Sequence, residues 1–147
     1  MAEASSDPFH LERFVIAQQR NYLSAIQELQ RGHKRSHWIW YIFPQLKGLG
    51  FSRNSEFYGL SGAEEACAYA AHPILGPRLR EAVATITSHP GRSAALILGH
   101  IDAMKLRSCL TLFSIAVPEE PLFAAALSQF FDHLPDERTI EMLRKSS

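Results

Sequence analysis

Ser36-His37-Trp38-Ile39-Trp40-Tyr41-Ile42-Phe43-Pro44-Gln45 is the stretch on which the fold turns. Read as a strand, its aromatic and β-branched residues at 38–43 demand a partner strand. No second comparable run exists in the sequence, and a lone strand leaves its backbone amides and carbonyls unsatisfied. The helical reading therefore prevails. It projects His37, Trp40 and Tyr41 on one side and Trp38, Ile42 and Gln45 on another. A helix that is apolar on every side is a buried one.

Working outward, glycine and proline cut the chain into further segments of helical length. Asp7-Pro8 reads as an N-cap followed by proline at the first helical position. Leu11, Phe14, Val15, Tyr22, Ile26 and Leu29 then recur at the spacing of one helix face that ends before Gly32, with Arg13, Gln19, Arg20 and Gln27 on the other face. Gly48-Leu49-Gly50 makes a loop. Ser61 with Glu64 forms a capping box for a helix that runs to Ala71. A helix from about Pro77 to Ser88 turns Leu79, Val83 and Ile86 inward. A short helix follows at 93–98. Asp102 caps a longer one with Leu106, Cys109, Leu110, Phe113 and Val117 on one side, and 121–133 and 136–145 are the last two. The expectation is an all-α fold: one compact domain over 1–147 built of about seven or eight helices, with 1–6 disordered.

Composition sets limits on function. The chain has 147 residues, 46% of them hydrophobic, an ordinary globular share. A chain of this length buries about two-thirds of its unfolded surface, enough for a core without covalent staples. Fifteen basic and fifteen acidic residues cancel. A protein held on nucleic acid by phosphate contacts usually carries a basic excess, so any basic patch here must be local and nucleic acid is disfavoured as a partner. The two cysteines, Cys67 and Cys109, sit among apolar residues at helical spacing and read as reduced core thiols. The first six residues lack the apolar region of a signal peptide, and no apolar run approaches the roughly 20 residues of a membrane span. The expected location is the cytoplasm, with no membrane partner.

Two segments could carry chemistry. In the first, Lys34 and Arg35 precede the aromatic stretch and would supply charge for a phosphate or carboxylate. Trp38 or Trp40 would give a stacking face, and His37 would act as a hydrogen-bond donor or acid–base group. Ser36 would cap the helix, and the amides near it would add to an anion site. The plain alternative is a central core helix with tryptophans as space-fillers and solvated Lys34 and Arg35. In the second segment, Asp102 and Lys105 lie one turn apart. Lys105 and Ser108 would stand on the rim of the same pocket, with Asp102 holding Lys105. The plain alternative is a capping aspartate with a surface ion pair. His33 and His37 have the spacing of two ligands on one helical turn, but no nearby carboxylate completes a set, so no metal is expected.

Asp7-Pro8-Phe9, Lys34-Arg35-Ser36-His37-Trp38-Ile39-Trp40-Tyr41-Ile42-Phe43-Pro44-Gln45, His72-Pro73-Ile74-Leu75-Gly76-Pro77-Arg78-Leu79 and the run from Asp102 to Phe113 together resemble the mostly bacterial domain-of-unknown-function family 1810. The resemblance spans nearly the whole chain. It implies an all-helical fold and no established activity. Some members carry the label calpastatin; a calpain inhibitor of that type is a long disordered chain, whereas this composition is globular. Carried over as motif residues are Lys34, Arg35, Ser36, His37, Trp38, Trp40, Gln45, Asp102, Lys105 and Ser108.

The functional expectation is a small anionic ligand, phosphate- or nucleotide-bearing, in a Lys/Arg/His/Trp-lined pocket, with His37 as the proton-transfer group if chemistry occurs. By analogy of size and helical content alone, a glycosidase acting on ribosyl compounds fits the same outline. The alternative is a non-enzymatic protein- or nucleic-acid-interaction module with the aromatic segment as core. No cofactor and no oligomeric state can be read from the sequence. The ligand reading depends on whether the two segments meet in space.

Overall fold

The computed structural model describes residues 7–145. The expected disorder of 1–6 and the reading of that segment as no signal peptide lie outside the described residues. Nine helices are found among them: α1 Glu12–Arg31, α2 Ile39–Ile42, α3 Arg53–Phe57, α4 Ala63–Ala71, α5 Leu75–Thr87, α6 Ala94–Leu98, α7 His100–Ala116, α8 Pro121–Phe131 and α9 Glu137–Lys145. The described residues hold no strand, only one isolated parallel bridge between Leu46 and Leu60. Among the described residues no helix is long and apolar enough to cross a membrane.

α7 is the central element, packed against α4, α6, α8 and α9, while α1 packs on α5 and α2. Leu106, Cys109, Leu110, Leu112 and Phe113 of α7 have no exposed surface. Rings run across the core from Phe14 (α1) to Tyr69 (α4, 5.0 Å between centroids), to Phe113 (α7, 5.7 Å) and to Phe123 (α8, 5.5 Å). Offset and edge-on contacts of this kind add to the burial of the rings themselves.

Several local expectations are corrected. The aromatic stretch gives a single helical turn, Ile39–Ile42. Phe43 leaves the helical region at φ −123° and ψ 74°. It precedes Pro44, whose ring disfavours helical backbone in the residue before it. Ser36 does not cap that turn, because its amide and hydroxyl both bond Glu28. Asp7 caps through Leu11 and Glu12, whose amides donate to its two carboxylate oxygens, so α1 begins four residues after Pro8. Glu65, not Glu64, reaches back to the Ser61 amide at 2.8 Å. α3, capped by Ser52 Oγ accepting from Ser55 N, was missing from the sequence reading. Cys67 is exposed, while Cys109 is buried.

Arg13 is corrected most sharply. It is buried and ion-paired with Glu65 at 3.0 Å. Its guanidinium also donates to the carbonyls of Phe9, His10, Phe57 and Gly59. The helix periodicity puts it off the apolar face, but the segment leading from α3 to α4 covers it.

Candidate functional site

The two segments singled out in the sequence meet. After Gly32 ends α1 in the left-handed region (φ 75°), the Lys34 amide donates to the Ile97 carbonyl of α6 at 2.7 Å. That bond ties the loop to the start of α7. The Lys34 ammonium reaches Asp102 Oδ2 at 2.9 Å, with only 8% of its side chain exposed. Asp102 Oδ1 accepts from Lys105 at 3.2 Å. One carboxylate therefore joins two lysines. It sits in the first turn of α7, where the helix dipole favours negative charge. Each ammonium also lies over an indole: Lys34 at 5.1 Å from the Trp38 ring centroid, and Lys105 at 4.8 Å from that of Trp40.

Beside this network opens a cavity of about 440 Å³. Trp40, Gln45, Lys105 and Ser108 line it, four of the residues selected from sequence. Its apolar part comes from Leu49, Phe51, Ile101 and Met104, and α9 adds Arg138 with its capping residue Asp136. The Ser108 hydroxyl donates to the Met104 carbonyl of its own helix at 3.2 Å, which leaves its oxygen able to accept.

The other candidates lie elsewhere. Trp38 has no exposed surface and belongs to the core, so it supplies no stacking face. Arg35, Ser36 and His37 are exposed, and none of them lines the cavity. The Arg35 and Ser36 amides, expected to help hold an external anion, are already occupied. Glu28 Oε1 accepts from them at 2.7 and 3.0 Å, and from Trp38 Nε1 at 2.9 Å, while Oε2 accepts from Ser36 Oγ at 2.6 Å. Burial pushes the Glu28 carboxyl upward, but these four donors outweigh it and hold it at about 2. The protein's own carboxylate fills the anion nest of the motif.

Glu28 was not singled out in the sequence. Its position at the edge of the α1 stripe, three residues from Ala25, was the available signal. Asp136, Arg138 and Phe51 carried none, since their approach depends on tertiary packing. Among the described residues no group of three or more His, Cys, Asp or Glu side chains is placed to hold a metal ion.

An all-helical array with a cavity whose lining mixes apolar side chains with Lys105, Arg138 and the carboxylate of Asp136 is the class that fold and site define. The chain belongs to the DUF1810 family of proteins of unknown function, whose model matches residues 8–143. It is similar to the crystal structure of a conserved hypothetical protein from Mycobacterium tuberculosis, Rv1873, at 45% identity and a TM-score of 0.92, covering 94% of this chain and 99% of that one. Curated proteins give no match.

Proposed function

We propose that the protein binds a small anionic ligand, phosphate- or carboxylate-bearing, in the cavity beside α7. The observation that carries this reading is the placement of Lys105: braced by Asp102, seated over Trp40, and lining a cavity shared with Gln45, Ser108 and Arg138. A lysine fixed by a neighbouring carboxylate loses less conformational freedom when a ligand arrives. Lys34 supports the same network from behind, and Lys105 and Arg138 are the cations at the cavity wall. His37 is given no part in this reading, because its ring does not line the cavity.

The test is a titration of nucleotides and sugar phosphates followed by tryptophan fluorescence. Trp40 lines the cavity, so a bound ligand changes its emission. Lys105→Met should abolish the change, while Arg20→Ala, an exposed position on α1, should preserve it. A flat response across the panel, or equal effects of the two substitutions, refutes the reading. A second reading, a protein-interaction surface, is favoured by the exposed side chains of Phe51, Ile101 and Met104 around the same mouth. Pull-down with Phe51→Ala and Ile101→Ala as negative controls tests it; the same proteins captured by both variants would dismiss it.

A further inference from the structure

The cavity walls differ in chemistry, and the difference restricts what fills them. Lys105, Arg138, Gln45 and Ser108 offer positive charge and hydrogen bonds beside the Asp136 carboxylate, which is engaged by Thr139, while Trp40, Leu49, Phe51, Ile101 and Met104 offer apolar surface. A bare phosphate satisfies the first set and leaves the second wet.

Phe51 is the informative residue. It is 95% exposed, the most exposed of the large hydrophobic side chains among the described residues. Nothing in the fold covers it, so its ring contributes little to stability. The chain around it is nevertheless held. The Lys47 amide donates to the Leu60 carbonyl at 2.8 Å before it. The Leu49 carbonyl accepts from Arg138 Nη1 at 3.2 Å. Ser52 caps α3 directly after it. A fixed backbone thus presents an uncovered aromatic ring at a cavity whose other aromatic wall is Trp40.

Resting on the reading of the cavity as an anion site, we propose that its ligand carries a flat ring as well as the anionic group, and that Phe51 is the residue that selects for the ring. Lys105 and Arg138 take the charge; Phe51 packs on the ring and gains the cover the fold denies it. The ligand class is a nucleoside monophosphate or an aryl phosphate or carboxylate, as distinct from a sugar phosphate.

The probes are adenosine monophosphate and ribose 5-phosphate, titrated by calorimetry into the wild type, Phe51→Ala and Phe57→Ala. Phe57 is exposed but does not line this cavity. Because Phe51 is uncovered, its alanine variant should fold as the wild type does, which circular dichroism verifies. Wild type should bind the nucleotide at least tenfold more tightly than the sugar phosphate, the size of one base–aromatic contact. Phe51→Ala should erase that preference by weakening the nucleotide alone, and Phe57→Ala should leave it. Equal affinities in the wild type, or an unchanged preference in Phe51→Ala, overturn the ring selection while the anion site stands. If neither phosphate binds, the anion site itself falls and this inference falls with it.

Discussion

Glu28→Gln is the substitution whose consequence can be worked furthest. The carboxylate of Glu28 receives four hydrogen bonds, three on Oε1 and one on Oε2. Glutamine keeps an acceptor for the three donors at Oε1 and places an amide group beside Ser36, whose hydroxyl can rotate to accept. What is lost is the charge. The four donors hold the folded carboxyl at about 2, below its ordinary 4.5. That separation corresponds to about 3 kcal/mol in favour of the ionised folded state near neutral pH. Since the folded value lies below the unfolded one, the contribution is complete above about pH 5 and fades as pH falls through about 2. At about pH 3 roughly half of it remains. Urea unfolding of wild type and Glu28→Gln, followed by tryptophan emission, should therefore show a gap of up to about 3 kcal/mol near neutral pH, narrowing by about half near pH 3. The corresponding drop in melting temperature is roughly 6–12 °C. A gap below about 0.5 kcal/mol, within the range of an ordinary surface substitution, would refute the claim that the motif loop is held by this carboxylate. So would a gap that stays constant with pH.

Three other expectations come from the packing. Arg13→Ala should cost about 3–5 kcal/mol by leaving Glu65 buried and unpaired, with a smaller loss for Glu65→Gln; chemical denaturation measures both, and a loss under 1 kcal/mol would place Arg13 on the surface after all. Gly76→Ala sets a methyl carbon 2.2 Å from the Ala70 carbonyl oxygen, so α4 and α5 must separate; a loss of about 1–3 kcal/mol is expected, and an unchanged melting temperature would contradict the close approach. A thiol reagent should modify one cysteine per folded chain, Cys67. Cys109 is enclosed, and burial pushes its thiol well above the ordinary value, so rapid modification of both would contradict the core assignment.

The parts of the fold legible in the sequence were those in which neighbouring residues decide the outcome. Leu11, Phe14, Val15, Ile26 and Leu29 repeat at helical spacing and are all buried, as are Leu106, Cys109, Leu110, Phe113 and Val117. Asp102 and Lys105 meet because one helical turn separates them. What escaped was set by distant chain. The aromatic helix is one turn long: the chain leaves it at Phe43 before Pro44, and ahead of it Glu28, on another element, holds the Arg35 and Ser36 amides. Arg13 is buried by a segment more than forty residues away. The meeting of Lys34 with Asp102 was posed in the sequence as a question, and the Lys34–Ile97 backbone bond is what answers it. Arg138 joins the cavity from the last helix, with no local pattern to announce it.

The doubly engaged carboxylate of Asp102 has a consequence for selectivity. An anion drawn to Lys105 has to compete with a partner already in place at 3.2 Å. On the anion-site proposal, weakly coordinating ions such as chloride would gain little from that exchange. A doubly charged group that contacted Arg138 as well would draw on two cations at once. In that proposal the aspartate is a resident competitor for the lysine, shielding it from background salt.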